Sequence, residues 1–534
     1  MTFSDRISAI LAFFDRAVWG TPTLLLLIFT GVLLTLRTGG YQFRAFFPML
    51  RHTIGSLRVQ TFAHPPANTD RSPSAQPADT VSPFQSLCTA LSATIGTGNI
   101  VGVAYAIVMG GPGAVFWMWV ASFLGMILKY AESVLGVYYR VSKDGRLRGG
   151  AMYYIERGFS EQLHRPKTGR ALALVFSAAT VAASFGMGNM SQVAAIKESI
   201  FAAFHTPNSA GGLWIGAGVA LAAALVLLGG AERIARANER LVPFMALFYT
   251  AGCFVILLVH ADRLLPALCA IFGGAFRWNA AAGGVGGFTL AKAAGWGFKR
   301  GIFSNEAGLG SSAAVHAASC ETVPARQGLW GLFEVFVDTG VICTLTALVL
   351  LTTGVADSAV GISENAGLSL AVSAFADVFG AFGAGFIALS VTLFAFSSIL
   401  GWSFYGVRAW EYLFGTKTCA LYLFLFAAAA VPGALLRAES ILRVSDIFNG
   451  FMALPNLAGL LCLTGVVATL TPGRAGAGKR RTGKRQFSDS YSPRSLSKAS
   501  NAKLPPNTNA NESGSAGSDS ESVTHMNTLC VRQT

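Results

Sequence analysis

Charge is what this sequence of 534 residues has little of. Asp, Glu, Lys and Arg make up 12% of it and hydrophobic residues 53%, about half the charge of an ordinary globular domain. With a mean hydropathy of +0.52, the chain reads as an all-α polytopic membrane protein. Paired cysteine is also missing. The eight cysteines (Cys88, Cys253, Cys269, Cys320, Cys343, Cys419, Cys462 and Cys530) are scattered with no C-x-x-C and no metal-like spacing to histidine, so neither a disulfide framework nor a zinc site is expected. Histidine is sparse near the apolar runs. His260 and His316 stand there without H-x-x-H or H-x-x-x-D partners, which leaves a membrane-embedded enzyme without a catalytic set and no cofactor to expect.

Apolar runs of about 20 residues, each long enough to cross a bilayer, fall near 17–36, 84–109, 112–139, 171–196, 211–230, 241–260, 287–315, 328–353, 368–404, 418–436 and 447–470, predicting 11 transmembrane helices. The first is too long for a signal-peptide core and has no small-residue cleavage site, so it is expected to be retained. The ninth is long enough to be tilted or kinked. Segments following odd-numbered spans carry nineteen Lys and Arg and the tail ten, against seven on the other side. The positive-inside bias puts the N-terminus outside and the C-terminus in the cytoplasm. The net charge of +14 is therefore a topology signal, and no nucleic-acid partner is expected. Gln60 to Pro83 and Pro472 to Thr534 are too polar to order themselves. The tail opens with Lys479, Arg480, Arg481, Lys484 and Arg485, either a positive-inside anchor or a contact for anionic lipid headgroups.

Ser92 to Gly102, SATIGTGNIVG, lies within the second run, yet Gly96, Gly98 and Gly102 disfavour a continuous helix. A helix broken in mid-membrane is tolerated only beside protein or a water-lined cavity. Its freed carbonyls suit a small hard cation, and the N–H groups opening its second half suit a carboxylate. A close-packing glycine face is the competing reading. A dinucleotide fingerprint fails, because the sixth position of the motif is Val101. Gly286 to His316 is interrupted in the same way by glycines at 295, 297, 301, 308 and 310 and by Ser304, Asn305 and Glu306. It follows the first break by five spans, so the two cross in opposite senses, the pattern of an inverted repeat with its site at the repeat interface. Residues 84–260 and 287–471 form the two halves. Residues 1–83 hold the added first span and a basic, Pro-rich loop, 261–286 form the extracytoplasmic connection, and 472–534 form the tail.

SATIGTGNIVG, GGAMYYIERG, GFKRGIFSNEAGLGSSAAVHAAS, RQGLWGLFEVFVDTG and FSSILGWSFYG occur in this order between about Phe84 and Leu470, and together they resemble the alanine/glycine:cation symporter family. The resemblance implies a LeuT-like 5+5 inverted-repeat fold with one extra N-terminal helix, Na+ as coupling ion, and small neutral amino acids such as alanine or glycine as substrates. It implies residence in the plasma membrane of a prokaryote, the inner membrane if Gram-negative. By the same likeness the N–H groups of Thr97 and Gly98 meet the substrate carboxylate, and Asn99, Gln192, Phe298, Ile302, Ser398 and Trp402 surround the amino acid. A LeuT-like sodium site uses carbonyls of Ser92, Ile95 and Phe394 with the hydroxyls of Ser397 and Ser398. Each has a plainer reading: an interhelical hydrogen bond for Gln192, an interfacial anchor for Trp402, hydroxyls bonding back to the backbone for the paired serines.

Charges inside spans are costly and usually functional. Lys129 and Glu132 are three apart and expected to pair. Lys299 and Arg300 lie near Glu306 in sequence, and Glu334 and Asp338 share a face at i, i+4. Pairing is the conservative reading, and a second cation or a gate held by Glu306 or Asp338 the sharper one. Lys292 is placed to snorkel. A channel is the rival to a carrier, and within carriers proton coupling, or glutamine or serine as substrate, stays open.

Overall fold

Proline and glycine set the helix ends. The computed structural model describes residues 18–62, 80–143, 146–204, 209–276, 290–356, 366–436 and 438–473. The predicted disorder of 63–79 and 474–534 lies outside them, as do parts of the 261–286 connection. The first long helix, α1 (Thr21–Thr38), has proline in its first turn and ends at Gly39, whose φ of 66° is left-handed, a conformation glycine adopts at little cost. A further helix, α2 (Phe46–Phe62), occupies the loop that the sequence reading left without structure. Val81, inside the segment expected to be disordered, pairs with Ser319. Ser82 and Gln85 then form a reciprocal capping box, with Pro83 opening α3 (Pro83–Thr94). These satisfy donors that a helix start leaves free.

After α3 come α4 (Val101–Gly110), α5 (Gly113–Tyr138), a two-stranded hairpin β1 (Val141–Lys143) and β2 (Arg146–Arg148), α6 (Ala151–Leu163), α7 (Pro166–Phe185), α8 (Ser191–Phe204), α9 (Ser209–Leu227), α10 (Gly230–Val259) and α11 (Ala261–Ala275). Beyond the undescribed 277–289 follow α12 (Leu290–Asn305), α13 (Ala313–Ala317), α14 (Pro324–Val335), α15 (Thr344–Thr352), α16 (Ala366–Phe379), α17 (Phe382–Phe414), α18 (Cys419–Ala428), α19 (Ala430–Leu435), α20 (Ala438–Cys462) and α21 (Thr464–Leu470). Among the described residues, seven helical stretches are long and apolar enough to cross a membrane: 21–38, 113–138, 166–204, 230–259, 324–352, 382–414 and 416–435. The bent pair Val444–Cys462 and Thr464–Leu470, at 61°, makes an eighth. Two of these stretches contain π-helical turns, Gly186–Met190 between α7 and α8 and Phe336–Cys343 between α14 and α15.

The structure corrects three expectations. The ninth predicted span, 368–404, is two helices: Gly380, at φ 55°, turns the chain, and α16 packs back on α17 with Phe375 and Phe386 stacked at 5.1 Å. An uninterrupted apolar run hides such a turn because both arms are apolar. Gly295, Gly297 and Gly301 do not break their span either, since α12 runs unbroken to Asn305. A Cβ at Gly301 would lie 3.0 Å from Ala121 Cβ, so this glycine lets α12 approach α5. Finally, the connection at 261–286 contains α11, against expectation.

Helix α17 is the post against which the rest is arranged. Trp402, Phe404 and Phe394 on it are fully buried, and Gly401 brings it onto α3, where an added Cβ would meet Ser92 Oγ at 2.5 Å and Ala93 N at 2.7 Å. Gly385, on the same helix, has nothing within 4 Å of a built Cβ. Gly401→Ala is therefore expected to destabilise the purified protein by about 1–3 kcal/mol through overpacking, whereas Gly385→Ala leaves its stability unchanged or raises it by up to about 1 kcal/mol. Denaturation of the two variants in detergent measures the difference, and equal effects would contradict this packing.

Candidate functional site

Helix α3 ends at Thr94. Ile95 leaves helical register with φ −75° and ψ 89°, Gly96 is extended at φ −131° and ψ −158°, and Thr97–Asn99 make one 3₁₀ turn before α4 begins. The helix is broken, as the glycines predict. What holds the break is Asn99, which is fully buried. Its Oδ1 accepts from Gly96 N at 2.9 Å, and its Nδ2 donates to Asp338 Oδ1 at 2.7 Å. Asp338, in the π-helical segment, also accepts from Ser304 Oγ at 2.9 Å and Thr339 Oγ1 at 2.8 Å. One carboxylate thus ties the first interruption to the end of α12. Charge-assisted bonds of this kind are stronger than neutral ones. Residues 86–96 and 102–108 are buried on either side, but Gly98 is exposed and Thr97 half-buried, and nothing lies within 4 Å of a Cβ built on Gly98. The break opens onto free space.

Around this opening the structure gathers several of the residues singled out from the sequence. Thr97 Oγ1 donates to Gln192 Oε1 at 3.4 Å, and a Cβ on Gly96 would stand 2.7 Å from Ser398 Oγ and 3.8 Å from Gln192 Oε1. Gln192 is held by Met187 O, 3.0 Å from its Nε2, a carbonyl beside the π-helical turn at Gly186–Met190. Ser397 Oγ lies 3.3 Å from Ser92 O and 2.8 Å from Phe394 O, and Ser398 Oγ 3.0 Å from Phe394 O. Both serines do bond back to the backbone, yet Ser397 also reaches across to α3. These are hard oxygens whose remaining lone pairs suit a small cation.

Three further candidates sit on α17 and α12. Trp402 is fully buried, so it is no interfacial anchor. Its ring meets Tyr405 edge-on at 5.5 Å, and its Cβ and ring occupy the space that a side chain on Gly188 would need. Phe298 and Ile302 line a narrow apolar crevice with Leu27, Ile28, Leu124 and Leu128, between α1, α5 and α12. The Phe298 ring meets Trp117 at 5.8 Å, tilted by 38°. The helix that carries both, α12, also packs against the Thr97–Asn99 turn.

The second interruption follows Asn305. Glu306 (φ 53°), Gly308 (φ 84°) and Gly310 (φ 77°) adopt left-handed conformations, and α13 begins after Ser312. The backbone freed there is met by Glu132 of α5, whose Oε1 accepts from Gly308 N and Gly310 N, both at 3.0 Å, and from Asn456 Nδ2 at 2.8 Å. Tyr154 bonds Asn456 in turn. The expected Lys129–Glu132 pair is not formed: Lys129 Nζ sits 2.9 Å from Glu334 Oε1 and 2.9 Å from Ser312 Oγ. Three residues apart on a helix permits contact, but each side chain finds a better partner across the interface. His316, which its sequence neighbours left without a role, completes the cluster, with Nε2 3.1 Å from Glu334 Oε2 and Nδ1 2.7 Å from Gln327 Nε2. Lys299 and Arg300 do not pair with Glu306. They stand over aromatic rings, Trp296 at 5.6 Å and Tyr105 at 4.4 Å, as cation–π contacts.

Comparison with known proteins identifies the family of the chain. The sequence pattern of the sodium:alanine symporter family matches residues 4–485. The sodium/alanine symporter AgcS of Methanococcus maripaludis is 39% identical over 472 residues, covering 88% of this chain and 97% of that protein. The probable sodium/glutamine symporter GlnT of Bacillus subtilis is 31% identical, covering 85% and 87%. Among solved structures, MhsT in complex with L-phenylalanine superposes with a TM-score of 0.52 at 14% identity, covering 73% of this chain and 98% of MhsT, a likeness of fold alone.

Removing Lys129 would leave Glu334 buried with only His316 opposite it. Lys129→Met is therefore expected to cost about 3–5 kcal/mol, seen as a lower denaturation midpoint of the purified protein, with Lys129→Met/Glu334→Gln recovering part of the loss. A single variant as stable as the parent would contradict the pairing.

Proposed function

The chain belongs to the sodium:alanine symporter family, and from that premise we propose that it carries small neutral amino acids, alanine or glycine, into the cell with sodium. It is a membrane transporter and not an enzyme. In this reading the protein sits in the plasma membrane of a prokaryote, the inner membrane if Gram-negative. Its N-terminus is outside and its C-terminus in the cytoplasm. Eleven spans comprise an added N-terminal helix and two inverted halves, 84–260 and 287–471. The observation that carries the reading is the opening at Gly98, where a broken helix offers free N–H groups beside the hydroxyl and carbonyl oxygens of Ser397, Ser398, Ser92 and Phe394.

The amino acid's carboxylate meets the N–H groups of Thr97 and Gly98, with Gln192 and Ser398 at its side. Asn99 acts by holding the turn. Sodium lies among the oxygens of Ser92, Ile95, Phe394, Ser397 and Ser398. Phe298, Ile302 and Trp402 wall the side-chain end of the amino acid. Transport proceeds by alternating access. The drive is electrical and chemical: one charge moving inward across 100 mV releases about 2.3 kcal/mol and a tenfold sodium gradient about 1.4 kcal/mol more, enough to concentrate substrate several hundred-fold. Glutamine is the second reading, favoured by the similarity to GlnT.

Uptake of labelled alanine into proteoliposomes is expected to require an inward sodium gradient and to fall when sodium is replaced by potassium. Excess glycine should compete, and competition by glutamine in its place would select the second reading. Ser398→Ala is expected to raise the sodium concentration for half-maximal uptake about tenfold, the loss of one oxygen ligand. Uptake indifferent to sodium would overturn the coupling.

A further inference from the structure

The buried ionisable groups behind the second interruption share their partners unequally. Glu334 takes two partners, the Lys129 ammonium and the His316 ring. Glu132 has three donors on Oε1, and Asp338 has Asn99, Ser304 and Thr339. Glu306 has one: Ser311 Oγ donates to its Oε2 at 2.6 Å. Glu306 is 1% exposed, and its Oε1 is buried with no hydrogen-bond partner among the described residues. The Tyr405 hydroxyl on α17, also buried, likewise has none. It lies within electrostatic reach of Glu306, Glu334 and Glu132. Glu132 Oε2 is a third such atom.

The titratable groups of this cluster come from every surrounding element: Lys129 and Glu132 from α5, His316 from α13, Glu334 from α14, Asp338 from the π-helical segment, and the phenols Tyr405 from α17 and Tyr154 from α6. Four carboxylates thus stand against one lysine and one histidine. A carboxylate kept from water with a single neutral donor is costly, and a proton on Oε1 removes the charge and turns an orphaned acceptor into a donor. The backbone points to the same side chain. Glu306 holds a φ of 53°, where a glycine would sit without strain.

We propose that Glu306 is a proton-binding site: its carboxyl holds a proton while the turn at 306–312 is closed against Glu132, and releases it to water when that turn opens to one face of the membrane. The proton is then carried between Glu306 and bulk water alone, with no other bond made or broken. Its use as a second coupling ion rests on the symport reading above, but its presence on Glu306 does not.

Infrared spectroscopy of the full-length purified protein in deuterated buffer tests this without a substrate. The wild type is expected to show a protonated carboxylic C=O band that Glu306→Gln abolishes, that Glu306→Asp shifts, and that Glu132→Gln retains. The aspartate variant covers the case in which the glutamine variant does not fold. A wild type without the band, or a band unmoved by both Glu306 substitutions, would overturn the proposal. In proteoliposomes, sodium-driven uptake should change severalfold with lumenal pH in the wild type and lose that dependence in Glu306→Gln. A wild-type pH profile in that variant, or an altered sodium dependence with an unaltered pH profile, would also overturn it and leave a metal cation as the ligand of the cluster. Failure of the wild type to transport alanine would sink the symport reading while leaving the infrared result intact.

Discussion

A backbone N–H or C=O released from a helix inside a bilayer has no water to bond, so whatever meets it must come from the protein. Two interruptions create that demand here, and the polar interior is the response to it. Asn99 closes the first through Gly96 N and is itself fixed by Asp338. Glu132 and Asn456 close the second through the Gly308 and Gly310 backbone. The two answers are connected, because Asp338 also holds Ser304 at the end of α12. The two interruptions therefore share one carboxylate.

The placement of acids follows the same logic. Carboxylates are the strongest acceptors available for freed N–H groups, and importing them into the interior imports charge, which must be balanced by Lys129 or by protonation. In the proposed reading, neutral oxygens at Ser397 and Ser398 receive the cation, and the N–H groups at Thr97 and Gly98 receive the anionic end of the substrate. The division of labour between the two breaks is thus electrostatic: one presents an open dipole end, the other is filled from within.

Much of this was legible in the residues. SATIGTGNIVG announced its own break because three glycines sit within seven residues, and helix propensity is a local property. The long apolar runs announced the spans for the same reason. What stayed hidden depends on pairing at a distance. Nothing near Lys129 says that it prefers Glu334 over Glu132, and nothing near His316 says that it closes on the same carboxylate, because those partners come from other elements. Glycine misled in the other direction at Gly297 and Gly301, where the residue type that breaks a helix also lets two helices touch. The turn at Gly380 escaped because apolar residues flank it on both sides.

The most direct test is a structure of the protein determined with alanine and sodium bound. The account predicts the amino acid's carboxylate against the N–H groups of Thr97 and Gly98, with the ion among the oxygens of Ser92, Phe394, Ser397 and Ser398 and the helix still broken at Gly96. An amino acid bound away from this opening, or a segment from Ser92 to Gly102 wound into one continuous helix, would contradict it.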